Sequence, residues 1–172
     1  MARRKGRDEF VKSRYNRAEE LKIKFEQVIN SFLERNGSNL RFRHREEAIG
    51  PDYEVYCIDS GQILCYFEAE FPETSRWPPG GEWRYRTVRW PERKWEYYKR
   101  TAGLFDNRPV FLISIREDCE DAYYIDCRVW LNKARKERLR NGTVYYGLDK
   151  NDPNLKRGFK DLTKYILERL GI

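Results

Sequence analysis

The chain of 172 residues has room for one domain with a core of its own. Its 35 basic and 28 acidic residues leave a formal net charge of +7, and 37% of all residues are charged. An aromatic content of 15% excludes a disordered chain, because that much apolar area drives burial, and no run approaches the about 18 apolar residues of a membrane span.

In chain order, the segment MARRKGRDEF has no apolar stretch behind its basic residues and does not read as a secretory signal. A reducing, cytoplasmic setting is expected. Residues 1–9, with Arg3, Arg4, Lys5 and Arg7, read as a basic mobile arm, and residues 10–172 as a single domain. From Phe10 to Leu33 apolar residues recur at helical spacing (Val11, Ala18, Leu21, Phe25, Val28, Ile29, Phe32), and Asn36-Gly37 supplies a stop. Leu40 to His44 alternates as a short strand, and residues 52–58 and 62–71 form two more. Residues 72–83 are a Pro/Gly-rich loop, and Arg84 to Trp90 reads as an edge strand. Pro91-Glu92 opens a helix that runs to about Thr101. Val110 to Ile115 is a continuous apolar run with the look of a buried strand, and Ala122 to Leu131 reads as a further strand. The basic stretch Asn132–Arg140 is helix-capable, and Thr143–Leu148 is a short strand. A last helix is expected from Asp152-Pro153, with Leu155, Phe159, Leu162, Ile166 and Leu170 on one face. The order α-β-β-β-α-β-β-α predicts an α/β fold with a central mixed β-sheet flanked by helices.

Four cysteines (Cys57, Cys65, Cys119, Cys127) lack the paired spacing of a zinc site, and His44 is the single histidine. They read as small buried thiols.

Charge is distributed unevenly. Residues 49–71 carry no Lys or Arg and five acids: Asp52, Glu54, Asp59, Glu68 and Glu70. A basic surface attracts polyanions, whereas an acidic island inside it repels both itself and them. Either a bound divalent cation or distant Lys and Arg residues brought in by folding must relieve that repulsion.

The hairpin register decides where the acids point. A three-residue turn, Asp59-Ser60-Gly61, places glycine at the left-handed position and pairs Asp52 with Glu68. It also makes one face uniformly apolar: Tyr53, Val55, Cys57, Ile63, Cys65, Phe67, Ala69 and Phe71. Asp52, Glu54, Glu68 and Glu70 then gather at the far end of the opposite face, close enough for two or three to chelate an oxygen-loving cation. The other outcome of this geometry is a solvated outer face.

Pro51-Asp52, fifteen residues, then Glu68-Ala69-Glu70 resembles the signature of the PD-(D/E)XK nuclease superfamily, the restriction-endonuclease-like fold. Glu70 stands where that family usually has lysine. The resemblance covers about residues 10–130 and implies Mg²⁺- or Mn²⁺-dependent hydrolysis of phosphodiester bonds in DNA, by an endonuclease. It implies Asp52 and Glu68, with the Ala69 carbonyl, as metal ligands. Glu70 would be a second-metal ligand or base, and Lys94 or Arg93 a lysine-like group from the following helix. Acids of the first helix (Glu19, Glu20, Glu26) are further candidates. Many such nucleases act as dimers.

Around this site, tryptophans (Trp77, Trp83, Trp90, Trp95) interleave with Arg76, Arg84, Arg86, Arg89 and Arg93. Trp90 and Trp95 are expected in the core, and Trp77 or Trp83 exposed for base stacking. Trp77, Arg84, Arg86, Arg93, Lys133, Arg135, Lys136 and Arg138 are the candidate nucleic-acid contacts; a solvated charged face is the plainer reading of the last four. Two further readings are a non-catalytic nucleic-acid-binding module and a protein-interaction domain whose acidic island meets a basic partner.

Overall fold

In the computed structural model, backbone is described for residues 2–172 and side chains for residues 16–172. The mobile arm expected over residues 1–9 lies outside the residues whose side chains are described.

A mixed sheet forms the centre. Strands β1 (Leu40–His44), β2 (Tyr53–Cys57) and β3 (Ile63–Glu70) run antiparallel. The chain then leaves the sheet through β4 (Thr87–Pro91) and α2 (Glu92–Arg100). It returns through β5 (Leu104–Phe105) into β6 (Arg108–Ile115), which lies parallel to β3. β7 (Ala122–Asp126) pairs antiparallel with β6, and β10 (Lys156–Arg157) pairs with β7. Helices α1 (Ala2–Arg35) and α4 (Leu162–Leu170) cover one face; Phe25, Ile29, Leu33 and Ile166 meet Phe42, Val55, Phe67, Phe111 and Tyr124 there. The other face carries α2, α3 (Cys127–Lys133) and a small antiparallel sheet in the order β4-β9-β8, from β9 (Val144–Asp149) and β8 (Arg135–Arg138). Covered on both sides, β6 is buried from Val110 to Ile115, which is why it reads as an unbroken apolar run.

The hairpin β2–β3 keeps the expected register where it matters, with one internal change. Tyr53 faces Phe67, Glu54 faces Tyr66 and Val55 faces Cys65, as the three-residue turn predicts. Nearer the turn, Tyr56 faces Ile63 instead, and Cys57 donates to the Gln62 carbonyl. The connection is therefore four residues, Ile58 to Gly61, and a bulge at Leu64 absorbs the extra one. Leu64 consequently packs toward α1 and Ile63 toward the opposite layer, reversing the faces expected for them. Beyond the bulge, Tyr53, Val55, Cys65, Phe67 and Ala69 are buried together.

Three expectations need correction. The strand expected to run from Ala122 to Leu131 turns into α3 at Cys127, because the Asp126 carboxylate accepts the Arg128 backbone N–H at 2.9 Å and caps the helix. The basic stretch 132–140 is strand β8 rather than helix. Gly142, at φ +87°, closes a hairpin in which Leu139 donates to the Thr143 carbonyl, and pairing with β9 outweighs the helix propensity of Lys, Arg and Glu. The last helix starts at Leu162, not near Pro153: the chain crosses the sheet edge as β10, so Leu155 is buried in the layer of α2 while Phe159 and Leu162 are buried under α1. All four cysteines are free, and Cys65, Cys119 and Cys127 are buried, as expected. Among the described residues no helix is long and apolar enough to cross a membrane.

Asp126 also ties α3 to α4. Its carboxylate is fully buried and accepts from Arg128 Nη2 at 2.8 Å and Arg169 Nε at 2.9 Å. Burial pushes its pKa up, but these guanidiniums and the Arg128 N–H outweigh it and hold the carboxyl below its ordinary range. Asp126→Ala removes a helix cap and a buried acceptor, and is expected to lower the unfolding free energy by about 2–3 kcal/mol in urea denaturation.

Candidate functional site

The site forms at the end of the β2–β3 ladder, where β2 has not yet begun. Asp52 donates its backbone N–H to the Phe67 carbonyl at 2.9 Å, and its Oδ2 accepts the Ala69 N–H at 2.7 Å. The side chain thus continues the ladder and holds the Asp52 carboxylate against β3. The segment leading into Asp52 is clamped by Arg45. Its guanidinium donates to the Pro51 carbonyl at 2.6 Å and lies over the Phe105 ring at 4.6 Å. Its N–H reaches the Asp52 carbonyl at 2.8 Å. Gly50, at φ +94°, has room for no side chain; a Cβ there would lie 2.6 Å from the Phe105 ring.

Glu68 projects from the same side of the sheet, and its carboxyl hydrogen-bonds with that of Asp52. Burial of this carboxyl is the largest influence on it; the Asp52 charge adds to it, and Lys94 opposes it. The result is a pKa pushed up to about 8. Near neutral pH the Glu68 carboxyl therefore holds its proton.

Lys94 enters from the first turn of α2. Its Nζ donates to Glu70 Oε2 at 2.6 Å and to the Ala69 carbonyl at 2.8 Å, and its side chain is only 8% exposed. Burial would lower its pKa, but Glu70, Glu68 and Asp52 together outweigh that and raise it, so the group is an ammonium at neutral pH. Tyr98 lies one turn further along α2. Its buried hydroxyl has no protein hydrogen-bond partner among the described residues, and burial, then the Glu68 carboxylate, raises its pKa.

The structure brings Asp52, Glu68, Glu70 and Lys94 together. Glu54 is drawn away to Arg43 on β1, and Glu26 of α1 binds the N–H and ring of His44. The helix contributes a base instead of an acid: Lys22 Nζ lies 3.8 Å from Asp52 Oδ1 while donating to the Arg45 carbonyl at 2.7 Å. Its signal is present in the chain, a lysine three residues before Phe25 and next to Leu21, inside the apolar stripe of α1.

The tryptophans differ from expectation. Trp77 and Trp83 are both buried, edge to face with each other at 5.6 Å, and their indole N–H groups donate to the Gly81 and Thr87 carbonyls. Neither is open to a base. Trp90 is core as expected, while Trp95 is half-buried and stacked on Tyr146 at 4.0 Å. The loop 72–83 folds back on Tyr123, which buries its indoles in a way that Pro/Gly content alone does not reveal. Arg84, Arg86, Arg93, Lys133, Arg135, Lys136 and Arg138 are all exposed, Arg86 in an ion pair with Asp149.

As a donor set for a cation, Asp52 and Glu68 offer hard oxygen ligands in mutual contact, one of them carrying a displaceable proton. Among the described residues, no three His, Cys, Asp or Glu side chains are arranged to hold a metal ion. Glu70 and the Ala69 carbonyl, the other donors the resemblance implies, are engaged by Lys94. Asp52 and Glu68 thus supply two carboxyl donors, and a third joins only if Glu70 leaves Lys94. No known protein family and no curated protein matches the chain.

Because Glu68 holds its proton more tightly when folded, stability falls as pH rises from the ordinary carboxyl value of 4.5 to about 8. Glu68→Gln should flatten this slope and raise the melting temperature on the alkaline side, with little change below pH 4.5; calorimetry across this range checks it.

Proposed function

We propose that this protein is a divalent-cation-dependent phosphodiesterase, an endonuclease acting on DNA, with a restriction-endonuclease-like core. The observation that carries the reading is the meeting of Asp52, Glu68 and Lys94 at one point. A hairpin supplies two carboxylates in contact, and the helix that follows supplies a buried ammonium within 2.8 Å of the carbonyl between Glu68 and Glu70. The element order around them supports it: a helix, three antiparallel strands, a helix, then a strand parallel to the third.

In this reading Asp52 and Glu68 would hold Mg²⁺ or Mn²⁺, with Glu68 giving up its proton to solvent. When bound, the ion polarises the scissile phosphate and acidifies a water. Lys94, being an ammonium, cannot act as a base; it stabilises negative charge on the phosphate in the transition state. Glu70 holds Lys94 in place, and its carboxylate is positioned to take a proton from water once Lys94 turns to the phosphate. Lys22 and Arg45 keep Asp52 turned toward Glu68.

The exposed cations on the small sheet provide the attraction for a polyanion. A second reading rests on the same lysine. Lys94 already neutralises Glu70, so the cluster can stand without a metal, as in a binding module that no longer cleaves.

Purified protein with Mn²⁺ or Mg²⁺ and mixed duplex, single-stranded and branched DNA is expected to release cleaved products. Glu68→Ala should abolish cleavage, and Lys94→Met should slow it by about 10²-fold or more. Equal background from wild type and Glu68→Ala would sink the catalytic reading, and metal-independent DNA binding insensitive to Asp52→Ala would support the second. Because cation binding must expel a proton, Mn²⁺ affinity measured by calorimetry should tighten as pH rises toward about 8 and level off above it.

A further inference from the structure

The smaller sheet has an inner face, where Val88, Trp90 and Leu148 are buried in the core, and an outer face that faces away from it. Strand pairing sets the outer face. Arg135 of β8 lies opposite Gly147 of β9, and Gly147 lies opposite Arg89 of β4. Two arginines therefore flank a glycine across three strands, about 10 Å apart at the backbone. Gly147 is itself buried, and a Cβ there would lie 2.8 Å from the Val88 carbonyl oxygen, so the strands tolerate no side chain at this position.

Arg89 is the unusual member. Its side chain is 10% exposed, and its guanidinium carbon lies 5.2 Å from the centre of the Tyr85 ring and 4.7 Å from that of Tyr145. Its nearest carboxylate, Glu137, is 3.8 Å away, beyond hydrogen-bond distance, and its Nε is buried with no partner among the described residues. Arg76 lies 5.6 Å from the centre of the Tyr145 ring, giving a run of cation–ring contacts through Tyr85, Arg89, Tyr145 and Arg76. A largely desolvated guanidinium beside two aromatic rings, with its nearest carboxylate beyond hydrogen-bond distance, offers its terminal nitrogens to an anionic oxygen acceptor. Arg135 is exposed on this face, two residues from Glu137, which shares it; Lys133, Lys136, Arg138 and Arg140 are exposed nearby, Lys136 and Arg138 on the opposite side of β8. Charge on β8 would protect an edge strand in any case. Edge protection does not call for a buried arginine with an unused donor, nor for Tyr85 left 42% exposed beside it.

We propose that the outer face of the smaller sheet seats a single-stranded stretch of nucleic acid, its phosphates on Arg89 and Arg135 and a base stacked on Tyr85. The inference rests on the nucleic-acid reading above and specifies the form of the substrate. Tyrosine faces stack on unpaired bases, which a duplex does not offer, and the cations follow the backbone. The stack is also tied to the acid cluster by the chain itself: Arg76 follows Glu70 by six residues, so their backbones are no more than about 20 Å apart.

The test is fluorescence anisotropy in EDTA, which prevents cleavage, with labelled oligothymidine, oligouridine and a duplex of equal length. Wild type should bind single strands more tightly than duplex, and the two homopolymers distinguish DNA from RNA as the source of the strand. Tyr85→Ala should weaken single-strand binding about tenfold and leave duplex binding nearly unchanged. Arg135→Glu should weaken binding and flatten its salt dependence, whereas Arg35→Glu, an equal charge change at the end of α1, should have little effect. Arg89→Lys, checked for folding by thermal melting, should lose affinity although charge is kept. Equal effects of Arg35→Glu and Arg135→Glu with no effect of Tyr85→Ala, a preference for duplex, or no binding at all would overturn the proposal. A failure of the nuclease reading leaves a separate trace: wild type binds single strands in EDTA but releases no cleaved product when Mn²⁺ replaces the chelator.

Discussion

Carboxylates cannot be crowded together in a half-buried site without something positive among them, and the ammonium of Lys94 meets that requirement here. It bonds Glu70 and the Ala69 carbonyl at once and lowers the cost of holding Glu68 and Asp52 side by side. Helix α2 is consequently fixed over the end of β3 by a polar contact as well as by the packing of Tyr98. The lysine is nearly buried, so its attraction to the acids is only weakly screened by solvent. Glu68 is the member left without a cation of its own, and its proton affinity shows it.

The island of five acids thus resolves into separate fates. Glu54 goes to Arg43 across the β1–β2 pair, Glu70 to Lys94, and Asp52 caps the ladder near Lys22. Folding supplies cations from other elements for much of the island, which is the plainer of the two outcomes its composition allowed. What remains, Asp52 and a protonated Glu68 beside an ammonium, stands at the lower end of the two or three carboxylates expected from the hairpin alone.

Much of this was legible in the residues because the signals were local. Alternation in β2 and β3 set which side chains are buried, and the demand for a uniform apolar face selected the register at Tyr53 to Val55. The apolar stripe of α1 and the proline before α2 placed both helices. The bulge at Leu64 was not legible, since one more turn residue costs little when the strand can absorb it. Lys94 could be named as a candidate, but its contact with Glu70 depends on how a helix docks on a sheet. Long-range packing also buried Trp77 and Trp83 against Tyr123, against the hint of their Pro/Gly surroundings. In residues 132–140, helix propensity pointed one way and the Asn141-Gly142 turn the other; the turn prevailed because β9 offered a partner.

Helix α2 carries Lys94 on one side and Trp95 on the next, and Trp95 lies flat against Tyr146 at 4.0 Å with the ring planes 4° apart. The same short helix thus touches the end of the large sheet through its ammonium and the small sheet through an indole. With only nine residues it has little capacity to bend between the two contacts. A tilt of the small sheet is therefore transmitted as a displacement of the Lys94 nitrogen relative to β3, making α2 a rigid lever whose fulcrum is the buried side chain of Tyr98.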